Sequence, residues 1–367
     1  MISKKVTHLI TTIERGGAEK QLLTLASKQV QSGLKVLVLY LKGKPDLKDE
    51  LEESGVEVNN LLVEKSFLNQ IFLLSKYLRK NPSPVHAHLP KSELLAAVVI
   101  AKKYFVFSRH NAEPFWPSAP RVISNLLSKY VCKRASQGIA ISNAVKSYLI
   151  ERGEIPTGYT IDVVYYGFQK DISNNAASLG LIADIMNGQS SNYKIGTIGR
   201  LVPQKDYLTL LTAFSNVLKS VPNIELYVVG EGYLQKDLVN FSQSLGINDK
   251  VHWLGKTEYI KEFLSKIDLF ILPSKYEGFG LVLLEAMIAK KPIIAANNSA
   301  IPEVLGKTYE ALFSTGNVTA LEQQIITAIS DKNFSERLVR SYPSQLSLFD
   351  PSDMNKYIKK IYSNNGF

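Results

Sequence analysis

Apolar positions along this chain follow two spacings: short continuous runs bounded by polar or glycine turns, and longer stretches with one apolar residue every three or four. Lys5 to Thr12, Leu34 to Leu41, Val85 to His88, Tyr104 to Ser108, Gly138 to Ser142 and Val163 to Gly167 are runs of the first kind and predict buried strands. Between them, Leu22, Leu25, Ala26 and Val30 share one helical face, and Gly33 ends that helix. Phe67 to Arg79, Arg121 to Arg134 and Ala144 to Glu151 predict further helices, the last with Ser142 before it as a plausible N-cap. A strand–helix–strand alternation of this kind predicts a parallel, doubly wound sheet.

The pattern weakens over Lys170 to Asn192, where paired Asn and Ser residues break the periodicity, and then restarts. Strands are expected at Tyr193 to Ile198, Ile224 to Val229, Val251 to Leu254, Asp268 to Pro273 and Pro292 to Ala296. Helices are expected at Tyr207 to Ser220, Leu281 to Lys290 and Met354 to Tyr362. The organisation predicted is an N-terminal Rossmann-like domain over 1–170, a linker region over 171–192, a second such domain over 193–345, and a C-terminal helical segment over 346–367. A chain of 367 residues is long enough for two separate cores, at about 150 residues each.

Composition narrows the function classes. The longest apolar run, Leu94 to Ala101, is far shorter than the roughly 20 residues needed to cross a bilayer. Met1 to Ile13 lacks the apolar stretch and small-residue cleavage site of a signal peptide. Cys132 is the single cysteine, which excludes an intrachain disulfide and suits a reducing, cytoplasmic setting. The net charge is +10, yet its basic residues are spread along the chain and form no nucleic-acid-binding motif. No nucleic-acid partner is expected. Such a charge suits a nucleoside diphosphate, or peripheral contact with an anionic membrane on its inner face, where each Lys or Arg adds about 1 kcal/mol. Phe115-Trp116-Pro117, beside a helix with Lys129, Lys133 and Arg134, fits either an interfacial patch or a solvated helix with a core-packed Trp.

Candidate chemistry collects where strands end. Asp268 to Pro273, Gly278-Phe279-Gly280 and Leu281 to Lys290 form a strand, a glycine turn and a helix, whose first N–H groups make an anion site. Glu277 precedes the turn and Glu285 follows about one helical turn in. Arg200 offers a planar fork and Lys205 a point charge, which together can neutralise a diphosphate. Gly16 and Gly17 follow the first strand, and Gly230-Glu231-Gly232 follows Val229. His86 and His88 share one face of a strand; no third ligand is evident near them in sequence, so they are expected to line a cleft rather than hold a metal. His110 stands just past a strand's carboxyl end, where open sheets keep their ligands.

The two glutamates eight apart, with Gly-Phe-Gly between them, resemble the signature of family-4 glycosyltransferases, and the Gly199-Arg200-Leu201…Lys205 and Gly230-Glu231-Gly232 motifs occur in that family's order. The resemblance covers nearly the whole chain. It implies the GT-B architecture: two Rossmann-like doubly wound parallel-sheet domains facing a central cleft. It also implies a retaining, hexosyltransferase-type, metal-independent enzyme that moves a sugar from a UDP- or GDP-linked donor to a glycan or lipid-linked acceptor in surface-polysaccharide or lipopolysaccharide synthesis. The nucleotide sugar would be a co-substrate, with no cofactor. Absence of Asp-x-Asp agrees with no bridging metal.

In that reading Arg200 and Lys205 take the diphosphate, with Phe279, Gly280 and Leu281 near it through backbone N–H groups. Glu285 takes the ribose hydroxyls, Glu277 those of the donor sugar, and His110 the donor sugar or its phosphate. Gly16, Gly17 and Gly230 admit the nucleotide. Asp206 departs from the family's usual glycine after the lysine, and as a helix N-cap it would do little harm. Ala300 replaces a glycine near the sugar. Two alternatives keep the fold: a nucleotide-sugar 2-epimerase, and a non-catalytic sugar-nucleotide-binding subunit.

Overall fold

The structure, a computed structural model, describes residues 5–168 and 192–365. The linker expected over 171–192 therefore lies, but for Asn192, outside the described residues. Two compact units divide the chain, 1–169 with 349–367, and 170–348.

The first unit runs β1 (Lys5–Ile10), α1 (Gly17–Gln31), β2 (Lys35–Tyr40), α2 (Lys48–Glu53), β3 (Glu57–Asn59), α3 (Phe67–Lys80), β4 (Val85–His88), α4 (Pro90–Val99), β5 (Phe105–Arg109), α5 (Arg121–Arg134), β6 (Gln137–Ala140), α6 (Asn143–Glu151) and β7 (Ile161–Val163). Its strands form one parallel sheet in the order β3-β2-β1-β4-β5-β6-β7. The second runs β8 (Tyr193–Ile198), α7 (Tyr207–Leu218), β9 (Ile224–Val229), α8 (Gln235–Ser244), β10 (Val251–Gly255), α9 (Ile260–Lys266), β11 (Leu269–Leu272), α10 (Leu281–Ile288), β12 (Ile293–Ala296), α11 (Ile301–Leu305), β13 (Leu312–Phe313), α12 (Val318–Ser330), α13 (Lys332–Arg340) and α14 (Tyr342–Leu346). Its parallel sheet is ordered β10-β9-β8-β11-β12-β13. The final helix, α15 (Pro351–Asn364), returns to the first unit.

Parallel sheets are covered on both faces, which is why their strands are continuous apolar runs rather than alternating ones. β2, β4, β5, β11 and β12 are buried nearly throughout. Leu94 to Ala101, too short to cross a membrane, becomes most of α4, which packs on β1 and β4 between α3 and α5. The Ser142 side chain accepts from the Val145 N–H at 3.1 Å, capping α6 as its sequence predicts. No helix among the described residues is long and apolar enough to cross a membrane.

One strand differs from its prediction. Val163 to Gly167 was expected as the last strand of the first half, whereas β7 spans Ile161–Val163 and pairs with Gly138–Ala140. Past Val164 the chain turns to α15: Gly167 N–H meets Met354 Sδ at 3.1 Å, and Phe168 N–H donates to the Phe349 carbonyl at 2.7 Å. A Cβ on Gly167 would sit 2.5 Å from Pro351 Cα, so only glycine permits this approach. Met354, Ile358, Ile361 and Tyr362 then join the core with Leu22 and Leu25 of α1. Burial of each is worth about 1.5–3 kcal/mol.

In each parallel sheet the order of strand addition reverses once, between β1 and β4 and between β8 and β11. Ligands of open α/β sheets lie outside the strand carboxyl ends at such a switch point.

Candidate functional site

In the second unit the loops after β8 and β11 leave from the switch point and meet directly. Lys205 Nζ lies 2.5 Å from Glu277 Oε1, with both side chains mostly buried. Ser274 donates its hydroxyl to the same carboxylate oxygen at 2.6 Å. Both bonds fall on Oε1; among the described residues none falls on Oε2. Ser299 holds the backbone beneath, accepting the Glu277 N–H at 2.7 Å. Gln204 ties the two loops together: its side chain donates to the Tyr276 carbonyl at 2.9 Å, and its carbonyl accepts from Lys275 at 2.7 Å.

Glycines make this proximity possible. A Cβ on Gly199 would press on Lys205 Cδ and Cε at 3.2 Å, so the lysine stem crosses over a bare backbone. Gly230, at φ 138°, has no room for a side chain at all: a Cβ there would collide with the Gly199 carbonyl. β9 is thereby drawn against the loop after β8, where Leu201 N–H donates to the Glu231 carbonyl at 2.9 Å. At the other glycine turn, Gly280 at φ 86° starts α10 with no side chain capping it. Leu281 opens that helix, Phe279 is buried beneath, and Glu285 stands half-buried along it.

Arg200 stands exposed, with one long contact from Nη2 to Gln204 Oε1 at 3.5 Å. Asp206 occupies the N-cap position of α7 without capping it. Its backbone is left-handed, at φ 49°, a conformation that glycine takes freely and Asp tolerates. This accounts physically for the exchange of a glycine here. Its carboxylate instead accepts from the Thr209 hydroxyl at 2.9 Å and faces Lys275. Ala300, at φ −81°, needs no glycine.

The first unit holds the remaining expected residues: Gly16, Gly17 and His110. Gly16 precedes α1 in extended backbone. The space over it is filled by Glu19, whose Oε1 accepts from the Thr12 hydroxyl at 2.7 Å. Burial raises the Glu19 pKa.

His110 belongs to a buried network that its own neighbours in sequence do not reveal. His86 and His88 do gain a third imidazole, correcting the expectation: His8, brought over by the β1–β4 pairing, in which His8 stands opposite His86. Their nitrogens lie within 4.8 Å of one another, a spacing that could hold a metal ion. Every ring nitrogen of the three is nevertheless in a hydrogen bond. His8 reaches Gln29 Oε1 (2.7 Å) and His88 Nε2 (2.9 Å); His88 Nδ1 meets His110 Nε2 (3.0 Å). His86 reaches the Tyr362 hydroxyl and Ser108 Oγ, each at 2.7 Å. His110 Nδ1 meets the Tyr166 hydroxyl at 2.5 Å. Burial lowers all four imidazole pKa values, His8 to about 4 and His110 to about 3, so the rings are neutral.

Beside His110 a cavity of about 180 Å³ is lined by Glu93, Arg109, Asn111, Glu113 and Phe115 among others. Arg109 lies between the Phe107 and Phe115 rings and bonds Glu93 Oε2 at 2.6 Å, with Glu154 Oε2 3.5 Å away. One guanidinium shared by two carboxylates cannot offset the burial of both. Desolvation accordingly outweighs its attraction, and the Glu93 pKa rises to about 7.

Sequence reasoning missed His8, Gln29, Tyr166, Tyr362, Ser274 and Ser299 as members of these clusters. Ser274 was legible as a hydroxyl three residues before Glu277; the others become neighbours only once strand order is known.

Two parallel Rossmann-like sheets are the components of the GT-B fold, and comparison with known proteins gives the fold and the family. The model for glycosyl transferases group 1 matches residues 185–343, and that for Glycosyltransferase Family 4 matches residues 15–169. The chain belongs to the group 1, family-4 glycosyltransferases. An uncharacterized glycosyltransferase of Methanocaldococcus jannaschii is 25% identical over 238 residues, which is 64% of this chain and 61% of that protein. A Campylobacter jejuni α-1,4-N-acetyl-D-galactosaminyltransferase, named for an undecaprenol-linked glycan, is 22% identical over 97% of this chain and 98% of its own length. The structure of Anabaena HepE with UDP and glucose has the same fold, with a TM-score of 0.82 at 22% identity, covering 98% of this chain and 99% of that one.

Proposed function

We propose that this protein is a retaining, metal-independent glycosyltransferase that transfers a sugar from a UDP- or GDP-linked donor to a glycan or lipid-linked acceptor, in polysaccharide or glycolipid synthesis. The observation that carries it is the Lys205–Glu277 pair at the switch point of the second sheet, beside the uncapped start of α10. An ammonium, an exposed guanidinium and the N–H groups at a helix start are what a departing diphosphate requires, since charge develops there in the transition state. Lys205 and Arg200 would take that charge; Glu277 Oε2 would receive the donor sugar's hydroxyls and Glu285 the ribose. His110 would meet a ligand in exchange for Tyr166, and the cavity beside it, with Arg109 and Glu93, suits hydroxyl groups of an acceptor.

Screening nucleotide sugars by thermal shift, then following labelled sugar into an extract of lipid-linked glycans, tests this reading. Donor consumption without any acceptor would favour the epimerase instead. If neither UDP- nor GDP-sugars raise the unfolding temperature, the assignment falls.

A membrane contact belongs to the same proposal. α3 exposes Leu68 (78%) and Phe72 (63%), and α5 exposes Val122 (70%) and Leu126 (62%). Around them stand Lys65, Lys76, Arg79 and Lys80, and Arg121, Lys129 and Lys133, with no Asp or Glu in 65–81 or 120–136. Apolar side chains ringed by cations suit an anionic lipid surface. Of the loop before α5, Phe115 is buried, Trp116 half-buried and Pro117 exposed. Sedimentation with phosphatidylglycerol vesicles at low salt should carry the protein down, and Leu68→Asp with Phe72→Asp should weaken this. No binding by the unaltered chain would remove the membrane from the account.

A further inference from the structure

We propose that Gln29, His8 and His88 are positioning residues that fix the tautomer of His110, through one head-to-tail hydrogen-bond chain running from Tyr166 to Ser108. The inference rests on the transferase reading for its catalytic meaning, but its geometry stands in the first unit alone.

A neutral imidazole has one donor and one acceptor, so a row of them is satisfied in only one of two directions. Gln29 decides which. Its Oε1 faces His8 Nε2 and can only accept, so that nitrogen carries the proton. His8 Nδ1 is then an acceptor, and His88 must donate from Nε2. His88 Nδ1 in turn accepts from His110 Nε2–H, which leaves His110 Nδ1 as a lone pair taking the Tyr166 hydroxyl proton. On its other side the same amide donates from Nε2 to the Tyr362 hydroxyl at 3.4 Å. Tyr362 then donates to His86 Nδ1, and His86 Nε2–H donates to Ser108. Eight groups from α1, α15, three strands and two loops are thus satisfied in one sense of rotation. Turning the Gln29 amide over would reverse the His8–His88–His110 arm.

All members are buried: Gln29, His8 and His86 fully, and His110 with 8% exposure. Water is therefore not at hand to satisfy a mistaken tautomer, and desolvation opposes a charged ring. The consequence at the sheet's carboxyl end is specific. His110 meets its ligand with an acceptor, so whatever displaces Tyr166 must bring a donor, a hydroxyl or an N–H. A phosphate oxygen without a proton would set lone pair against lone pair. The chain thus assigns His110 to a donor group of the sugar or acceptor, such as a hydroxyl, and not to the diphosphate.

The experiment uses the full-length protein labelled with ¹⁵N. Long-range ¹H–¹⁵N correlation distinguishes the two neutral tautomers and the imidazolium, and part-exposed His252 serves as reference among the five imidazoles. We expect His8, His86, His88 and His110 all neutral with Nε2–H; a His110 carrying its proton on Nδ1, or charged at pH 7.5, overturns the proposal in the unaltered chain. Variants supply the second readout, with the donor found by the screen above. His88→Leu removes the acceptor facing His110 and should lower kcat about tenfold or more, the kind of loss seen when a histidine loses the group that orients it, while donor KM stays within about twofold. His88→Asn puts an amide oxygen near the place of Nδ1 and should restore the tautomer and most of kcat. Equal activity of His88→Leu and the unaltered chain would overturn the positioning role, as would an unrestored His88→Asn whose His110 tautomer is intact. Lack of any transfer by the unaltered protein would instead refute the functional reading, and the tautomers would still be read.

Discussion

Removing either member of the Lys205–Glu277 pair should destabilise the second unit, while only the loss of Lys205 should weaken nucleotide binding. At 2.5 Å, and with an effective dielectric of about 20, the attraction amounts to about 7 kcal/mol. Desolvating each ion costs several kcal/mol, and the side chains are only 14% and 9% exposed. The net worth of the pair is therefore small, but the partner left behind keeps its desolvation cost. Lys205→Met leaves the Glu277 carboxylate with the Ser274 hydroxyl, and Glu277→Gln leaves the ammonium facing an amide; each should cost about 3 kcal/mol. The double variant should lose less than the sum, with a coupling of about 2 kcal/mol. Urea unfolding of the four proteins, followed by circular dichroism, measures that cycle. UDP and GDP titrations supply the functional half. Lys205→Met should weaken binding by about 1.5–3 kcal/mol, the value of one charged hydrogen bond. Glu277→Gln should leave binding equal or tighter, because the lysine loses its internal competitor, and should abolish transfer. Additive stabilities, or an equal loss of nucleotide affinity in both variants, would refute the reasoning.

Gly230→Ala should be among the most damaging single changes: its φ of 138° excludes an L side chain and its Cβ would meet the Gly199 carbonyl. A loss of about 3 kcal/mol or more is expected from strain and displaced backbone, and unaltered urea stability would contradict the close approach. Glu93 gives a pH prediction. Its folded pKa of about 7 exceeds the ordinary 4.5, so the folded state holds the proton more tightly. Its contribution is complete below about pH 4.5 and is lost as pH rises to about 7, on the order of 3 kcal/mol. Stability of the unaltered protein minus that of Glu93→Gln should therefore fall across that window; a flat difference would mean that Arg109 keeps Glu93 ionised throughout.

Much of the fold was legible because parallel strands are continuous apolar runs and the glycines mark where they end. The second-unit site was legible for the same reason. Arg200, Lys205 and Glu277 lie in the loops that leave the carboxyl ends of β8 and β11, with Glu285 in the helix that follows, and neighbouring strands at a switch point bring such ends together. What could not be read was the partner of each charge: nothing in the spacing says that Lys205 crosses Gly199 to reach Glu277 rather than facing outward with Arg200. The strand placed at Val163 to Gly167 failed because its apolar residues are buried by α15, nearly two hundred residues away in sequence, and a buried run looks alike whether a strand or a helix covers it. His8 was invisible for a related reason. A lone histidine in an apolar strand acquires meaning only when parallel pairing sets it against His86.

The two sheets share a strand order, yet the clusters at their switch points carry opposite kinds of polarity, and this bears on how the protein could divide its task. In the second unit the groups are charged: an exposed guanidinium, an ammonium and a carboxylate already paired. Such an arrangement tolerates a dianionic ligand because the ligand can replace an internal counter-charge, and its cost of ordering is met before binding. The first unit's network is neutral by burial, with four uncharged imidazoles whose protons are directed by one amide. A neutral, directional network discriminates among hydroxyls by orientation and gains nothing from an anion. A diphosphate therefore has an electrostatic reason to choose the second unit, and a polyol has a hydrogen-bonding reason to choose the first. Exchanging those roles would require changing the charge of buried groups, not merely the shape of a pocket.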